Sequence, residues 1–248
     1  YKEFPEIMAV NNEKADIDLK QRGYLFLGTE EMMPYLKEHV NVQHRHGVPS
    51  ELLGKEDLLH IIPELNIDDL AGGLFCAEDG YLDPYSVMQG YIKKAKQLGA
   101  TYIFDEVDTI LADGTDVSGI QLSSGERFRA PIIINCAGAW SAYISEKIGL
   151  PLPLVPLRRQ VFQFDSEIPL KKALPLTVDP TGVYFRHEGQ HMISGFGENV
   201  KPGIDFSWKR SYFLDHLWPV LGNRVANFEK VKVKGGWSGL YCHNTEDQ

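Results

Sequence analysis

PIIINCAGAWS, residues 131–141, is the stretch on which the fold turns. Its three branched apolar residues, Ile132 to Ile134, predict a strand buried on both faces, as in a parallel sheet flanked by helices. The run then breaks into a turn of small residues, Cys136-Ala137-Gly138-Ala139, and passes through Trp140 into a helix-like segment. In open α/β sheets, ligands sit at the carboxyl ends of parallel strands. Small residues there let a cofactor's phosphates approach the backbone, and the N-terminus of the following helix favours anions. The stretch therefore predicts the edge of a nucleotide-cofactor site. Taken locally, an α/β unit whose glycine merely ends a strand, with Trp140 a core aromatic, fits the same residues.

Outward from this stretch, Asp83-Pro84 opens a helix with Asp at the N-cap and Pro at the first helical position. Val87, Tyr91, Ala95 and Leu98 form its apolar stripe, and Gly99 ends it. Strands are predicted at Thr101–Phe104, Val107–Ala112, Val117–Leu122 and Arg127–Asn135, with Asp113-Gly114 and Ser124-Gly125 as hairpin turns. Further upstream, Gly23–Thr29 and Gly72–Ala77 read as strands. Residues 30–46, with Thr29 as the cap, and 55–62 read as helices. After Pro151 the pattern changes. Strands alternate in Leu157–Phe164, Val183–His187 and His191–Gly197, residues 208–221 form an amphipathic helix, and Glu229–Tyr241 returns as strand.

Composition narrows the function classes. A net charge of −9 over 248 residues argues against nucleic acid and anionic membrane surfaces as partners. No apolar run approaches the ~20 residues of a membrane helix. The chain opens on Tyr1 without Met, as expected of part of a longer protein, and its first residues have no signal-peptide core. Three cysteines without short spacing fit a reducing, intracellular setting, either a bacterial cytoplasm or a mitochondrial matrix. Adjacent His44, Arg45 and His46 point apart on a helix, and no metal site is expected.

Several segments, read in order, carry more than any one alone: GYLFLGT (23–29), EDGYLDP (78–84), Asp105-Glu106-Val107, INCAGAWS (134–141), PLVPLRRQV (153–161), GVYFRHEG (182–189) and GGWSGLY (235–241). In this order and spacing the chain resembles the D-amino-acid-oxidase-type FAD-dependent oxidoreductases, the family of sarcosine, dimethylglycine and glycine oxidases. The resemblance implies FAD as cofactor and a small amino acid or amine as substrate, oxidised at its C–N bond by hydride transfer to the flavin. It implies that Val107 contacts the adenine through its backbone, and that Ala137, Gly138 and Trp140 line the phosphate and ribose region. Arg159, Tyr184 and Arg186 are implied to border the flavin ring and substrate. Tyr184 and Arg186, two apart, share one strand face. An Arg there can pair bidentately with a substrate carboxylate. The alternative places Arg186 on a solvated face with Phe185 packed inward.

Departures from the family pattern also set expectations. The strand–GxGxxG–helix segment that holds the FAD pyrophosphate is not among these residues, nor is the C-terminal glycine-rich segment that completes the flavin site. Gly239 stands where several relatives carry a cysteine linked to the flavin, so FAD is expected to be non-covalent. A chain lacking both segments is expected to be inactive on its own. His187 and His191 are expected to be solvated. The predicted fold is α/β (α+β): an incomplete Rossmann-like FAD-binding domain (83–150, resuming at 237–248) interleaved with a mixed antiparallel-sheet substrate domain (1–82 and 151–236). The alternative function is a non-catalytic flavoprotein-like subunit or assembly factor, with a protein partner such as a respiratory complex.

Overall fold

The computed structural model describes residues 1–246; Asp247 and Gln248, at the end of the last predicted segment, lie outside the described residues. The first hundred residues hold α1 (Phe4–Ile7), β1 (Tyr24–Gly28), α2 (Met33–Arg45), β2 (Glu51–Gly54), α3 (Asp57–Ile61), β3 (Gly72–Cys76) and α4 (Pro84–Gln97). The Asp83 carboxylate accepts from the backbone N–H groups of Tyr85 and Ser86, which are orphan donors of the first turn of α4. Helix α2 begins later than the sequence suggests. Pro34 sits in its first turn, and the carbonyl of Thr29, not its hydroxyl, receives the N–H groups of Met32 and Met33.

A three-stranded meander follows: β4 (Val107–Asp113), β5 (Asp116–Leu122) and β6 (Arg127–Arg129). A 3-10 turn at Gly138–Trp140 leads into α5 (Ser141–Glu146). Next come β7 (Leu154–Ser166), β8 (Leu176–Val178), β9 (Tyr184–Glu188) and β10 (His191–Gly195). The predicted helix near 208–221 is α6 (Arg210–Tyr212) and α7 (Trp218–Arg224), joined by a π-helical stretch at Phe213–Leu217. Strand β11 (Val231–Asn244) closes the order. The main sheet has eight strands in the order β11-β7-β10-β9-β8-β1-β3-β2. It is mixed: β1 runs antiparallel to β3 and parallel to β8.

The chain forms two compact units. Unit 1 comprises 1–100, 160–197 and 208–237; unit 2 comprises 101–159, 198–207 and 238–248. Where the sequence reading divides the chain at residue 82, the units divide at residue 100, because α4 packs within unit 1. Tyr91 meets Phe4 edge-on, and Gly90 is buried against the Phe4 ring. Unit 1 holds the main core. Leu25 and Leu27 of β1, Phe162 and Phe164 of β7 and Phe185 of β9 are 0–1% exposed, and Phe213, Leu217 and Leu221 cover them. Burying each such side chain contributes about 2–3 kcal/mol. Unit 2 buries little apolar surface; among the described residues only Ile110, Leu122 and Ala139 fall in its core.

Two expected strands do not form. Residues 101–104 and 132–134 have no regular structure, and Phe104, Ile132 and Ile134 are 97, 76 and 80% exposed. The buried strand expected at Ile132–Ile134 is therefore corrected. A strand buried on both faces needs a ladder on each side and a layer above and below. Among the described residues, β6 ends its pairing at Arg129 and no strand pairs with 130–137.

Candidate functional site

In unit 2 the small-residue turn is organised by Asn135. Its Oδ1 accepts from the Ala137 N–H at 3.1 Å, while its Nδ2 donates to the Ser141 carbonyl at 3.0 Å and to Ser145 Oγ at 3.1 Å. One amide side chain thus ties the start of the turn to the first turn of α5. Gly138 adopts φ +56, a left-handed conformation that favours glycine. Ala139 is buried beneath the turn, and Trp140 is half-exposed, stacked on Phe206 with ring centroids 6.4 Å apart. Trp140 is therefore a surface ring and not a core aromatic. The Cys242 thiol donates to the Gly138 carbonyl at 3.5 Å.

The other unit 2 candidates lie on strands. Val107 begins β4, paired with Leu122 at an irregular register. Arg159 donates to the carbonyls of Arg158 and Glu198, both at 3.1 Å, and lies over the Tyr241 ring at 5.6 Å. Gly239 is exposed on β11, two residues from Tyr241. Arg158, its sequence neighbour Arg159 apart, was not singled out by pattern, yet it gathers residues 198–207. Its guanidinium pairs with the buried Glu198, with Asp205 at 2.6 Å and with Ser207 Oγ at 2.8 Å. That segment carries Phe206, the ring on Trp140.

Tyr184 and Arg186 belong to unit 1, on the face of β9 opposite the buried Phe185. Tyr184 lies opposite Gly195 of β10, where a Cβ would collide with the Tyr184 hydroxyl and come within 2.9 Å of the Gln160 carbonyl oxygen. The glycine is thus a seat for the phenol. Burial pushes the Tyr184 phenol above its ordinary value, with the Arg186 charge acting in the opposite direction and Tyr24 adding to the rise. The phenol is therefore neutral, able both to donate and to accept, throughout the physiological range. The Arg186 side chain is largely covered. Its guanidinium lies 4.0 Å from the Tyr81 ring, and its Nη1 donates to the His187 carbonyl at 2.8 Å and to Glu188 Oε2. Phe185 packs inward, as the alternative has it, while the Arg186 side chain, 15% exposed, is not solvated. His187, on the other face, is half-buried and accepts from the Leu174 N–H at Nδ1, and His191 pairs with Asp165; neither is simply solvated.

The unit 2 residues suit one wall of a flavin dinucleotide site. A Cβ placed on Gly138 or Gly239 would meet nothing within 4 Å, so both leave open space beside exposed aromatic rings. Among the described residues no group of three His, Cys, Asp or Glu side chains could hold a metal ion, and no helix is long and apolar enough to cross a membrane.

The family model described as FAD dependent oxidoreductase (DAO) matches residues 2–248. The chain is 30% identical, over 96% of its length, to FAD-dependent oxidoreductase domain-containing protein 1 of Xenopus laevis, of which it covers 55%. This is the kind of relative that the 137–142 turn and the 183–186 context lead one to expect. It is also 30% identical, over 77% of its length, to the mitochondrial dimethylglycine dehydrogenase of Rattus norvegicus, covering 23% of that protein. The chain thus spans about half the length of the first of these relatives. Among solved structures, the L-proline dehydrogenase from P. horikoshii superposes with a TM-score of 0.86 at 23% identity, over 99% of this chain and 65% of the other.

Proposed function

The chain belongs to the DAO family of FAD-dependent oxidoreductases, and from that premise we propose that it serves the oxidation of an amino acid or a secondary or tertiary amine at its C–N bond. The dimethylglycine dehydrogenase relative supports an N-methylated amino acid as the substrate class. Unit 2 supplies part of the cofactor domain and unit 1 the substrate domain. Bound FAD supplies the hydride acceptor. The remaining steps fall to this chain's own side chains. Val107, Ala137, Gly138, Trp140 and Gly239 hold the dinucleotide without a covalent link, since Gly239 has no thiol. Arg159 fixes the neighbouring strand and Tyr241. Arg186 binds the substrate carboxylate, and the neutral Tyr184 phenol hydrogen-bonds the substrate beside it.

The observation that carries the proposal is the Tyr184–Arg186 pair on one face of β9, a raised phenol beside a fixed guanidinium. The test is purification of the protein as its gene encodes it, followed by absorbance spectra and turnover with glycine, sarcosine, dimethylglycine and proline. Flavin absorbance released on denaturation, with bleaching by one of these amines, is the expected result. Protein that stays colourless with added FAD would sink the proposal. Colour without bleaching by any amine would favour the second reading, a flavoprotein-like subunit or assembly factor of a respiratory complex. One observation favours that reading: the Arg186 guanidinium is already paired.

A further inference from the structure

Arg186 has two partners that are fixed and one that is not. The Arg186 guanidinium carbon lies over the Tyr81 ring, 4.0 Å from its centroid, and the His187 carbonyl accepts from Nη1 within the same strand. Both hold the guanidinium plane whatever else binds. Glu188 differs. Its side chain is 48% exposed against 15% for Arg186, and it stands at the last residue of β9, beside Gly189 at φ +59. Its carboxylate can turn away into water at little cost, because an ion pair of this exposure is worth about 1 kcal/mol or less. Residues 186 and 188 share a strand face, so Glu188 lies on the same face of β9 as the Tyr184–Arg186 pair. The Glu188 carboxylate also has the chemistry of an amino acid's own carboxylate, planar, anionic and able to take two N–H groups.

We propose that Glu188 is a resident competitor for the carboxylate seat on Arg186. It acts through Arg186 as a positioning residue that sets selectivity between carboxylate-bearing and carboxylate-free amines. An amino acid binds by exchange: its carboxylate takes the guanidinium, and Glu188 returns to solvent. An amine without a carboxylate leaves the Arg186–Glu188 pair closed and meets a neutralised wall. The exchange keeps one ion pair in both states, so the seat is never left as a bare buried cation, which would be costly.

The inference rests on the reading that Arg186 faces substrate, and the experiment separates the two. Binding of N,N-dimethylglycine and of N,N-dimethylethylamine, the same amine without a carboxylate, is measured anaerobically by isothermal titration on the gene-encoded protein. Wild type, Glu188→Gln, Arg186→Leu and Arg186→Lys are compared, with thermal melts to verify folding. Glu188→Gln is expected to tighten dimethylglycine about threefold, the free-energy scale of an exposed pair, and to weaken the cationic dimethylethylamine, which then faces an Arg186 charge that is no longer neutralised. Arg186→Leu is expected to abolish the preference for the carboxylate, and Arg186→Lys to retain part of it. If Arg186→Leu weakens dimethylglycine but Glu188→Gln changes nothing, the competitor role is overturned while Arg186 stays in the site. If neither variant alters dimethylglycine binding, or wild type does not bind it, both statements fall.

Discussion

Asn135 spends every polar atom of its side chain on the turn that follows it. Each hydrogen bond contributes about 1 kcal/mol net, so Asn135→Ala is expected to cost about 2–3 kcal/mol and to weaken FAD binding in the intact protein. Asn135→Asp keeps the acceptor for the Ala137 N–H but loses both donors, and should fall between. Denaturation curves read beside flavin-fluorescence titration check this; equal flavin affinity in all three proteins would remove Asn135 from the site. The sequence shows Tyr184 and Arg186 on one strand face, because a period of two needs no tertiary information. It shows neither Tyr81 beneath Arg186 nor the role of Asn135. Tyr81 arrives from a distant loop, and Asn135 reads as the end of a strand until its hydrogen bonds are known.

At the level of elements, β9 is tied to the chain before β8 by the Leu174 N–H, which donates to His187 Nδ1. Burial first, and the Arg22 charge second, hold the His187 imidazole below its ordinary protonation range. The folded state prefers the neutral ring. The stabilisation is therefore complete above about pH 6.5 and is lost as pH falls through the lowered folded-state value. His187→Asn offers an uncharged acceptor in its place. The melting temperature of wild type should drop more steeply than that of the variant as pH falls below about 6; parallel curves would contradict the argument. Most long elements are legible, since α2, α4, β7 and β11 carry their own periodicity and α4 its own cap. Strands β2 and β8 are not: at four and three residues they exist only through their neighbours. The opposite error, at 101–104 and 132–134, has the same origin. Branched apolar residues state a preference for a strand, but only a partner strand makes one.

At the scale of the whole molecule, unit 1 holds a buried polar tie. Arg224, 4% exposed, pairs through Nε with Asp179 at 2.6 Å and through both terminal nitrogens with Asp69 at 2.7 and 2.9 Å. Asp179 is itself buried, and its other oxygen receives Thr181 in the turn that launches β9. Removing one member of a buried pair costs about 3–5 kcal/mol, whereas a partner as exposed as Asp69 is worth about 1 kcal/mol at most. Urea denaturation of Asp179→Ala and Asp69→Ala should separate by that margin, and equal losses would refute the assignment. The chain crosses between units after residues 100, 159, 197, 207 and 237. The sequence changes texture after Pro151, whereas the unit boundary at 100 has no local signature, because it follows from the packing of Phe4 against α4.

The same interleaving fixes a timetable for biosynthesis. The first hundred residues of unit 1 leave the ribosome long before Trp237, the last residue of that unit. At about 5–20 residues per second, strands β1 and β3 wait on the order of ten seconds for the phenylalanines of β7 and the helix that cover them. During that interval Leu25 and Leu27 of the nascent chain lack the side chains that cover them, so the core of unit 1 closes only after β7, the following helix and β11 have emerged.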